Sequence, residues 1–515
     1  MRIIAALLAM LTCSAGFAEL QNVEVGGSIE IWGSYYTPFY ESDDAPERVP
    51  ASWTRGRPIG LFGTYSPIRT YNRKGAEGSA FVEQRTTLHV NAEFTENVSS
   101  YIEVDSIETW GEDFRSSNYL TGADQRANSS DDVEVYQAYL QMREILGTPL
   151  QLRIGRQELV FGSGWLVGNN YWFNPLTYLS FDALRLTYEG EGFSVDAFAS
   201  KLNERLRGFG EGDVDFYGVY ATCTAVENIA FDAYWLYLRD DAKVQDTAGS
   251  PLLEWTEGLL GVDDYGRTQI HTIGLRTAGE WNHFEFEFEA AYQYGDAAGV
   301  GVNFPVNRYG DDSAWYNTWA GHFDVSYTFP VKFEPSIHAG ADYYGGEDRR
   351  HVDFRDWVNP FDRPRASVSF NRLFSDSESD WFLDGGALSN CWMAKTGVAA
   401  KFTDALETTF DLVYMQVVAP FDTPVLRRIG SLKLPLGWPL AFVTKNGRRD
   451  LGFVASLTAA YQYSDDLSFE AGWSHFFTGG AMEDGAFVDQ NGLGFYGGLD
   501  DDDADYFWLG TKLSF

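Results

Sequence analysis

Residues 283–295, HFEFEFEAAYQYG, fall into two sets when every second residue is taken. Phe284, Phe286, Phe288, Ala290 and Tyr292 share one side, and Glu285, Glu287, Glu289 and Gln293 share the other. Side chains of an extended strand alternate between faces, so this is a strand with one apolar and one charged surface. A sheet half buried in a water-soluble domain alternates identically. The rest of the chain has to decide which solvent the phenylalanines meet.

Comparable segments recur from one end to the other. They include VEVGGSIEIWGSYY from residue 23, FVEQRTTLHVNAEF from 81, VEVYQAYLQMR from 133, WAGHFDVSYTF from 319, LETTFDLVYM from 406 and ADYFWLGTKLSF from 504. Each approaches the roughly 9 to 11 residues of a tilted membrane strand, and about 18 can be traced. Their connections alternate. Tight turns such as Glu96-Asn97, Glu227-Asn228 and Thr403-Asp404 take turns with long polar stretches near 37–78, 111–130, 161–179, 240–267, 295–313, 346–390, 419–448 and 479–503, and a shorter one near 203–212. A β-sandwich has no reason to gather its long loops at one end. An outer-membrane barrel does, with short periplasmic turns and long extracellular loops. The sequence therefore predicts an all-β fold, a transmembrane antiparallel β-barrel of about 18 strands.

In the last segment Phe507, Leu509, Thr511, Leu513 and Phe515 form one apolar face. An unpaired edge of this kind invites aggregation, so the strand is expected to pair with the first one and close the cylinder. A terminal Phe behind alternating apolar residues also resembles the signature read by the barrel-assembly machinery. Residues 1–18 read as a secretory signal: one positive charge at Arg2, an apolar run from 3 to 11, and Gly16 and Ala18 at small-residue positions. A lipoprotein site at Cys13 is the alternative, with Thr12 where such sites carry a smaller residue. The apolar run is too short for a spanning helix. That leaves 19–515 as a single outer-membrane barrel domain.

Aromatic residues make up 16% of the chain, yet mean hydropathy is only −0.26, as expected when apolar and polar positions alternate. Against 38 Lys and Arg stand 74 Asp and Glu, for a net charge of −36, which argues against nucleic acid as a partner. Cys223 and Cys391 fall in separate strands and are expected to be free thiols. The histidines are scattered singly, so neither a metal centre nor a cofactor is expected. LDDDDAD at 499–505 reads as a solvated acidic loop, a Ca²⁺ site built from its oxygens being the alternative.

QAYLQMR, LRIGRQELVFGSGWLVGN, FDALRLTYEG and FNRLFSDSESDWFLDGGALSN, spread over residues 137–390, resemble the alginate-export (AlgE-like) outer-membrane porin family. The resemblance implies a single 18-stranded barrel whose prototype exports an anionic polysaccharide through an Arg-lined lumen. The alternation itself places Gln151 and Arg153 inward on one strand and Arg185 on the next, with Gln137, Gln141 and Arg143 on the strand before. Arg143 is expected slightly below the other two, with Glu103 close to it. Arg85, Arg276, Lys395 and Lys401 add inward cations, Lys401 opposite Glu407. Glu83, Asp105, Glu285, Glu287, Glu289, Asp324, Asp342, Asp411 and Glu470 also point inward. A ring of guanidinium groups suits an anion path, while Arg/Glu ladders also simply brace the walls of large barrels. Both readings stand at this point.

The connection FGSGWLVGNNYWFNPLTYLS is too aromatic for a plain solvated loop. Trp165, Asn169, Tyr171 and Trp172 are expected to fold inward, narrow the channel and offer platforms to sugar rings, packing on a neighbouring loop being the alternative. Arg427, Arg428, Lys433 and Lys445 form a basic stretch that could meet lipopolysaccharide or anionic solutes. The function that follows is a passive outer-membrane channel, not an enzyme, for hydrophilic solutes such as acidic sugars or polysaccharide. The alternatives are a sheath or scaffold for a partner protein, which needs a lumen free of inward loops, and a rim hydrolase built on Ser474-His475 or His351-Asp353. No nucleophile motif surrounds either pair.

Overall fold

The computed structural model describes residues 21–37, 79–110, 133–169, 176, 178–204, 213–241, 259, 267–296, 314–346, 366–367, 369–382, 384, 388–419, 422–424, 427–429, 432–434, 444–446, 448–481 and 503–515. Eighteen long strands form the wall: β1 Asn22–Tyr36, β2 Ser79–Thr95, β3 Val98–Thr109, β4 Glu134–Met142, β5 Leu150–Gln157, β6 Phe181–Gly190, β7 Phe193–Asn203, β8 Val214–Val226 and β9 Ile229–Asp240. The second half comprises β10 Thr268–Trp281, β11 Phe284–Asp296, β12 Ala314–Thr328, β13 Ser336–Tyr344, β14 Cys391–Thr403, β15 Leu406–Val417, β16 Asp450–Gln462, β17 Leu467–Thr478 and β18 Ala504–Ser514. Each strand pairs antiparallel with its sequence neighbours, and β1 pairs antiparallel with β18 from Ser28↔Ser514 to Tyr36↔Tyr506. The cylinder is closed, so the wall has no free edge.

The two faces of the wall separate as the alternation requires. Leu88, Ile102, Leu140, Ile154, Leu184, Leu275, Phe288 and Leu509 are exposed on the outside, where lipid replaces water. Gln293, Thr272, Ser474 and Asp342 are buried on the inside. Hydrocarbon offers the backbone no hydrogen-bond partner, so a closed ladder is the one way strands can span it. Tight turns join the strands at the periplasmic end. At two of them Asn228 and Asn282 take positive φ of 59° and 48°, a conformation asparagine tolerates through its short polar side chain. Cys223 lies exposed and Cys391 buried, both as free thiols.

The seam between first and last strand is fastened on its inner face. Trp32 Nε1 donates to the Tyr506 hydroxyl at 3.0 Å, the Tyr36 and Tyr506 rings stack at 4.1 Å, and Lys512 pairs with Glu30 at 3.0 Å. On the outer face Leu513 and Phe515 meet lipid, and Phe515 exchanges backbone hydrogen bonds with Gly27. Replacing Leu513 and Phe515 together with Asp is therefore expected to abolish assembly, because the closing strand loses its apolar lipid face and each carboxylate there adds a depth-dependent cost. Loss of the heat-modifiable band in electrophoresis of membrane fractions checks this. A normal level of folded protein would refute the role given to this strand.

The core lies inside the barrel. Two extracellular connections, L3 between β5 and β6 and L7 between β13 and β14, turn inward and meet. Val167 of L3 bridges Phe374 of L7, Gly168 N donates to Phe374 O at 2.8 Å, and Phe374 N donates to Leu166 O at 2.9 Å. Their apolar residues Leu159, Trp165, Leu166, Phe370, Leu373 and Leu388 are all buried against inward-facing Phe181, Phe198, Phe216, Leu236 and Met393 of the wall. At the other end of L7, Trp381 reaches the seam, 4.9 Å from Trp508 and 5.4 Å from Tyr506 between ring centroids. L3 and L7 thus form a septum that runs from the β11–β13 wall to the β1/β18 seam.

Candidate functional site

Ion pairing divides the inward cations into two groups. Arg85, only 4% exposed, is held by Asp105 at 3.1 Å and lies over the rings of Tyr178 and Tyr136 at 4.1 and 5.0 Å. Burial raises the Tyr178 phenol above its ordinary pKa, so it stays neutral beneath the guanidinium. Arg276 binds Glu287 at 3.0 Å and Asp232 at 2.7 Å. Lys395 bridges Asp324 and Asp342 at 3.2 and 3.4 Å. Arg185 Nε donates to Asp196 Oδ1 at 2.8 Å. These four cations are neutralised by carboxylates that the strand register brings alongside them.

Arg153 differs. It lies directly opposite Arg185 in the β5–β6 ladder, donates to Gln141 Oε1 at 3.1 Å and sits over the Tyr139 ring at 4.4 Å. Among the described residues no carboxylate comes within ion-pairing distance of it. Gln141 in turn donates to Gln151 at 3.2 Å, so the guanidinium is oriented by amides and an aromatic face without losing its charge. Tyr139 continues a stacked row, to Tyr101 at 5.3 Å and from there to His89 at 5.6 Å, across β4, β3 and β2. On its other flank Arg185 lies 5.3 Å from the Phe161 ring of L3.

The septum is anchored on the opposite wall by polar contacts. Ser163 of L3 donates to Glu287 at 2.5 Å, and Trp165 donates to the Tyr344 hydroxyl at 2.9 Å while stacking over His322 at 5.8 Å. His322 itself contacts Asp342 at 2.6 Å and Asp324 at 3.0 Å. L7 is fixed by the fully buried pair Arg372–Asp384 and by Gln293, which both donates to Asn371 O and accepts from Asn371 N. Gly164 and Gly168 have no side chain because one would run into the Asp376 carboxylate. That close approach lets the two loops lie against each other.

The family model for alginate export matches residues 68–494, most of the chain. The chain belongs to the alginate export family. This family membership and the closed barrel agree on a porin-like channel protein. Among solved structures it is similar to OccAB1 of Acinetobacter baumannii, with 12% identity, a TM-score of 0.48, and coverage of 98% of this chain and 99% of that one. It is similar also to OprD of Pseudomonas aeruginosa, with 11% identity, a TM-score of 0.47 and 97% of each chain covered. For OccK11 (OpdR) of Pseudomonas aeruginosa the identity is 10%, the TM-score 0.46 and the coverage 95% and 96%. None of the curated proteins compared with the chain matches it significantly.

Several expected positions need correction against this family member's geometry. Arg143 stands at the periplasmic end of the inward face of β4, within electrostatic reach of Arg153 and Tyr139. β4 ends at Met142, and Arg143 is exposed in the periplasmic turn, its backbone N–H on Asn97 O at 2.9 Å. Glu103 accepts from Gln137 at 3.0 Å and Tyr101 at 3.1 Å. Lys401 does face Glu407 in the ladder, yet its ammonium binds Glu334 at 3.1 Å, in the neighbouring turn. Trp165 folds inward but is 1% exposed, so its ring is packing and no platform for a sugar. Asn169 serves L3 through its backbone carbonyl, which accepts from Leu179 N at 2.6 Å. Tyr171 and Trp172 lie outside the described residues, as do His351, Asp353 and the side chains of the basic stretch from Arg427 to Lys445. L7 as the second half of the septum went unrecognised, although Phe370, Phe374, Trp381 and Phe382 in FNRLFSDSESDWFLDGGALSN carried the same aromatic signal as L3.

Proposed function

We propose that the protein is a passive channel of the Gram-negative outer membrane for hydrophilic anionic solutes, acidic sugars or polysaccharide. The observation that carries this reading is Arg153: one inward guanidinium with no carboxylate partner among the described residues, beside a second at Arg185. In a partly dehydrated passage a solute carboxylate forms charge-assisted hydrogen bonds with such a group, and a single unpaired charge binds loosely enough to release. The other four cations are wall braces, which keeps the net field moderate. Export signal and C-terminal strand fit delivery to the barrel-assembly machinery, and the acidic chain has no use for nucleic acid.

The alternatives lose support on particular contacts. A protein threaded through the barrel would collide with the L3–L7 septum. For a hydrolase, Ser474 and His475 point to opposite faces: Ser474 is buried against Ser456 at 2.6 Å, and His475 binds Asp505 at 2.9 Å on the other side. Planar bilayers test the channel reading directly. Purified protein should give discrete conductance steps and an anion-favouring reversal potential in a salt gradient, and oligouronates should block the current at concentrations where neutral oligosaccharides of equal length do not. Absence of steps would refute the channel, and equal block by both sugars the preference for acids.

A further inference from the structure

The inward face of β2–β5 carries a row of rings that charge selection alone does not need. It starts at Arg153 and passes through Tyr139 of β4 and Tyr101 of β3 to His89 of β2, in steps of 4.4, 5.3 and 5.6 Å. The registers set Gln141 opposite Arg153, Tyr101 opposite Tyr139 and Glu103 opposite His89, so the row climbs away from the periplasm as it crosses the wall. Elsewhere on the inner face Gln293 and Asp342 are buried where L7 covers them. His89, Tyr101, Tyr139 and Arg153 are only half-buried. The row therefore borders the part of the lumen that the septum leaves open.

These rings present faces to the lumen. Parallel rings in full contact approach to about 3.5 to 4.0 Å. At 5.3 and 5.6 Å, with planes only 21 and 23° apart, the three are offset, and part of each face stays uncovered by its neighbour. His89 leans across the backbone of β1, where Gly26 makes room: a Cβ there would stand 2.7 Å from Cε1 of the imidazole. A ring that leans along the wall turns one face to the backbone and the other to the water. Tyr139 already carries Arg153, which leaves Tyr101 and His89 as the open part of the row. Polar groups flank it. Glu103 accepts from Tyr101 and Gln137, and Gln151 accepts from Gln141 while its own amide N–H groups have no partner among the described residues.

We propose that this row is a subsite for sugar rings, in which Tyr101 and His89 stack on the C–H face of one pyranose unit while Arg153 holds the carboxylate of a neighbouring unit. The inference rests on the channel reading proposed above and deepens it, because the solute is selected as a sugar and not only as an anion. Glu103 favours this over a bare anion path. A carboxylate beside the row repels a free anion, yet it accepts from the hydroxyls that a sugar carries. Gln151 supplies donors to the hydroxyls of the unit at Arg153. Rings of similar tilt in successive steps let a unit pass from one to the next without losing contact, which suits passage better than storage. Trp165, expected to offer such a platform from L3, is buried, and the rings of the wall take over that role.

Calorimetric titration of the full barrel in detergent tests this with two trianions, a linear tri-uronate and an N-acetylated, C-amidated triglutamate of equal charge. The parent should bind the tri-uronate about tenfold more tightly, and that ratio should persist at high salt, because stacking is not screened. A His89→Ala, Tyr101→Ala variant should bring the ratio close to one by losing affinity for the tri-uronate. Arg153→Gln should weaken both ligands and keep the ratio, so the anionic part of the channel reading and the sugar subsite are read apart. A tri-uronate that the parent binds no better than the peptide overturns the proposal, as does an unchanged ratio in the double variant. Should the double variant fail to show heat-modifiable mobility, Tyr101→Leu, which keeps apolar bulk in the wall, decides: a ratio lowered several-fold supports the subsite, and the parent's ratio overturns it.

Discussion

An Arg153→Glu pore is expected to favour cations where the parent favours anions. The substitution changes the local charge by two units at a point where no carboxylate among the described residues pairs with it. At 4 Å a unit charge is worth about 1 kcal/mol in bulk water and about 4 kcal/mol at the effective dielectric near a protein surface. Every 1.4 kcal/mol is tenfold, so the anion-to-cation permeability ratio should fall by about tenfold or more. Arg153→Lys should retain the sign of the reversal potential, since charge and reach survive while the stacking on Tyr139 weakens. Arg276→Gln should shift the ratio far less, because its charge is already matched by Asp232 and Glu287. An Arg153→Glu channel with the parent's reversal potential would reduce Arg153 to another brace and remove the anionic half of the proposed function.

The second large effect is expected at Arg372. Both partners of the Arg372–Asp384 pair are fully buried inside L7, and the guanidinium also covers the Tyr344 ring at 4.3 Å. Breaking a buried pair by deleting one partner leaves an uncompensated charge, at a cost of about 3 to 5 kcal/mol. In Arg372→Ala that cost falls on the septum, because the strand ladder makes its own hydrogen bonds independently of L7. Single-channel conductance should rise several-fold while the folded barrel keeps its resistance to detergent. If Arg372→Ala conducts like the parent, the septum does not limit the current.

Much of the barrel was legible in the sequence because period-two alternation is a local signal that survives in a single chain. The segment at 283–295 needed no tertiary information to assign its faces, and the closing role of the strand from 504 followed from the cost of an open edge. Alternation says nothing about where a strand stops: β4 ends at Met142, with the left-handed residues Glu144 and Leu146 just beyond, so Arg143 sits exposed at the strand's end. The partners of the inward charges were harder still. Which carboxylate neutralises Arg185 depends on the β6–β7 register, and a shift of one residue would turn Asp196 to the lipid. The septum was half visible: an aromatic loop announces that it will be buried, but not that it will meet a second loop 200 residues later.

The seam has a temporal meaning as well as a spatial one. Trp32 and Tyr506 are 474 positions apart, and Gly27 and Phe515, which also exchange hydrogen bonds across the seam, are further apart still. Neighbouring strands pay only the entropy of a hairpin, so they can pair as they emerge, whereas β1 must wait for β18. Trp381 packs on rings supplied by Trp32 of β1 and by Tyr506 and Trp508 of β18. Its berth does not exist until those two strands have met. The barrel thus closes as an open tube first and narrows afterwards, and the L7 arm of the septum serves as a latch that can engage only on a finished wall.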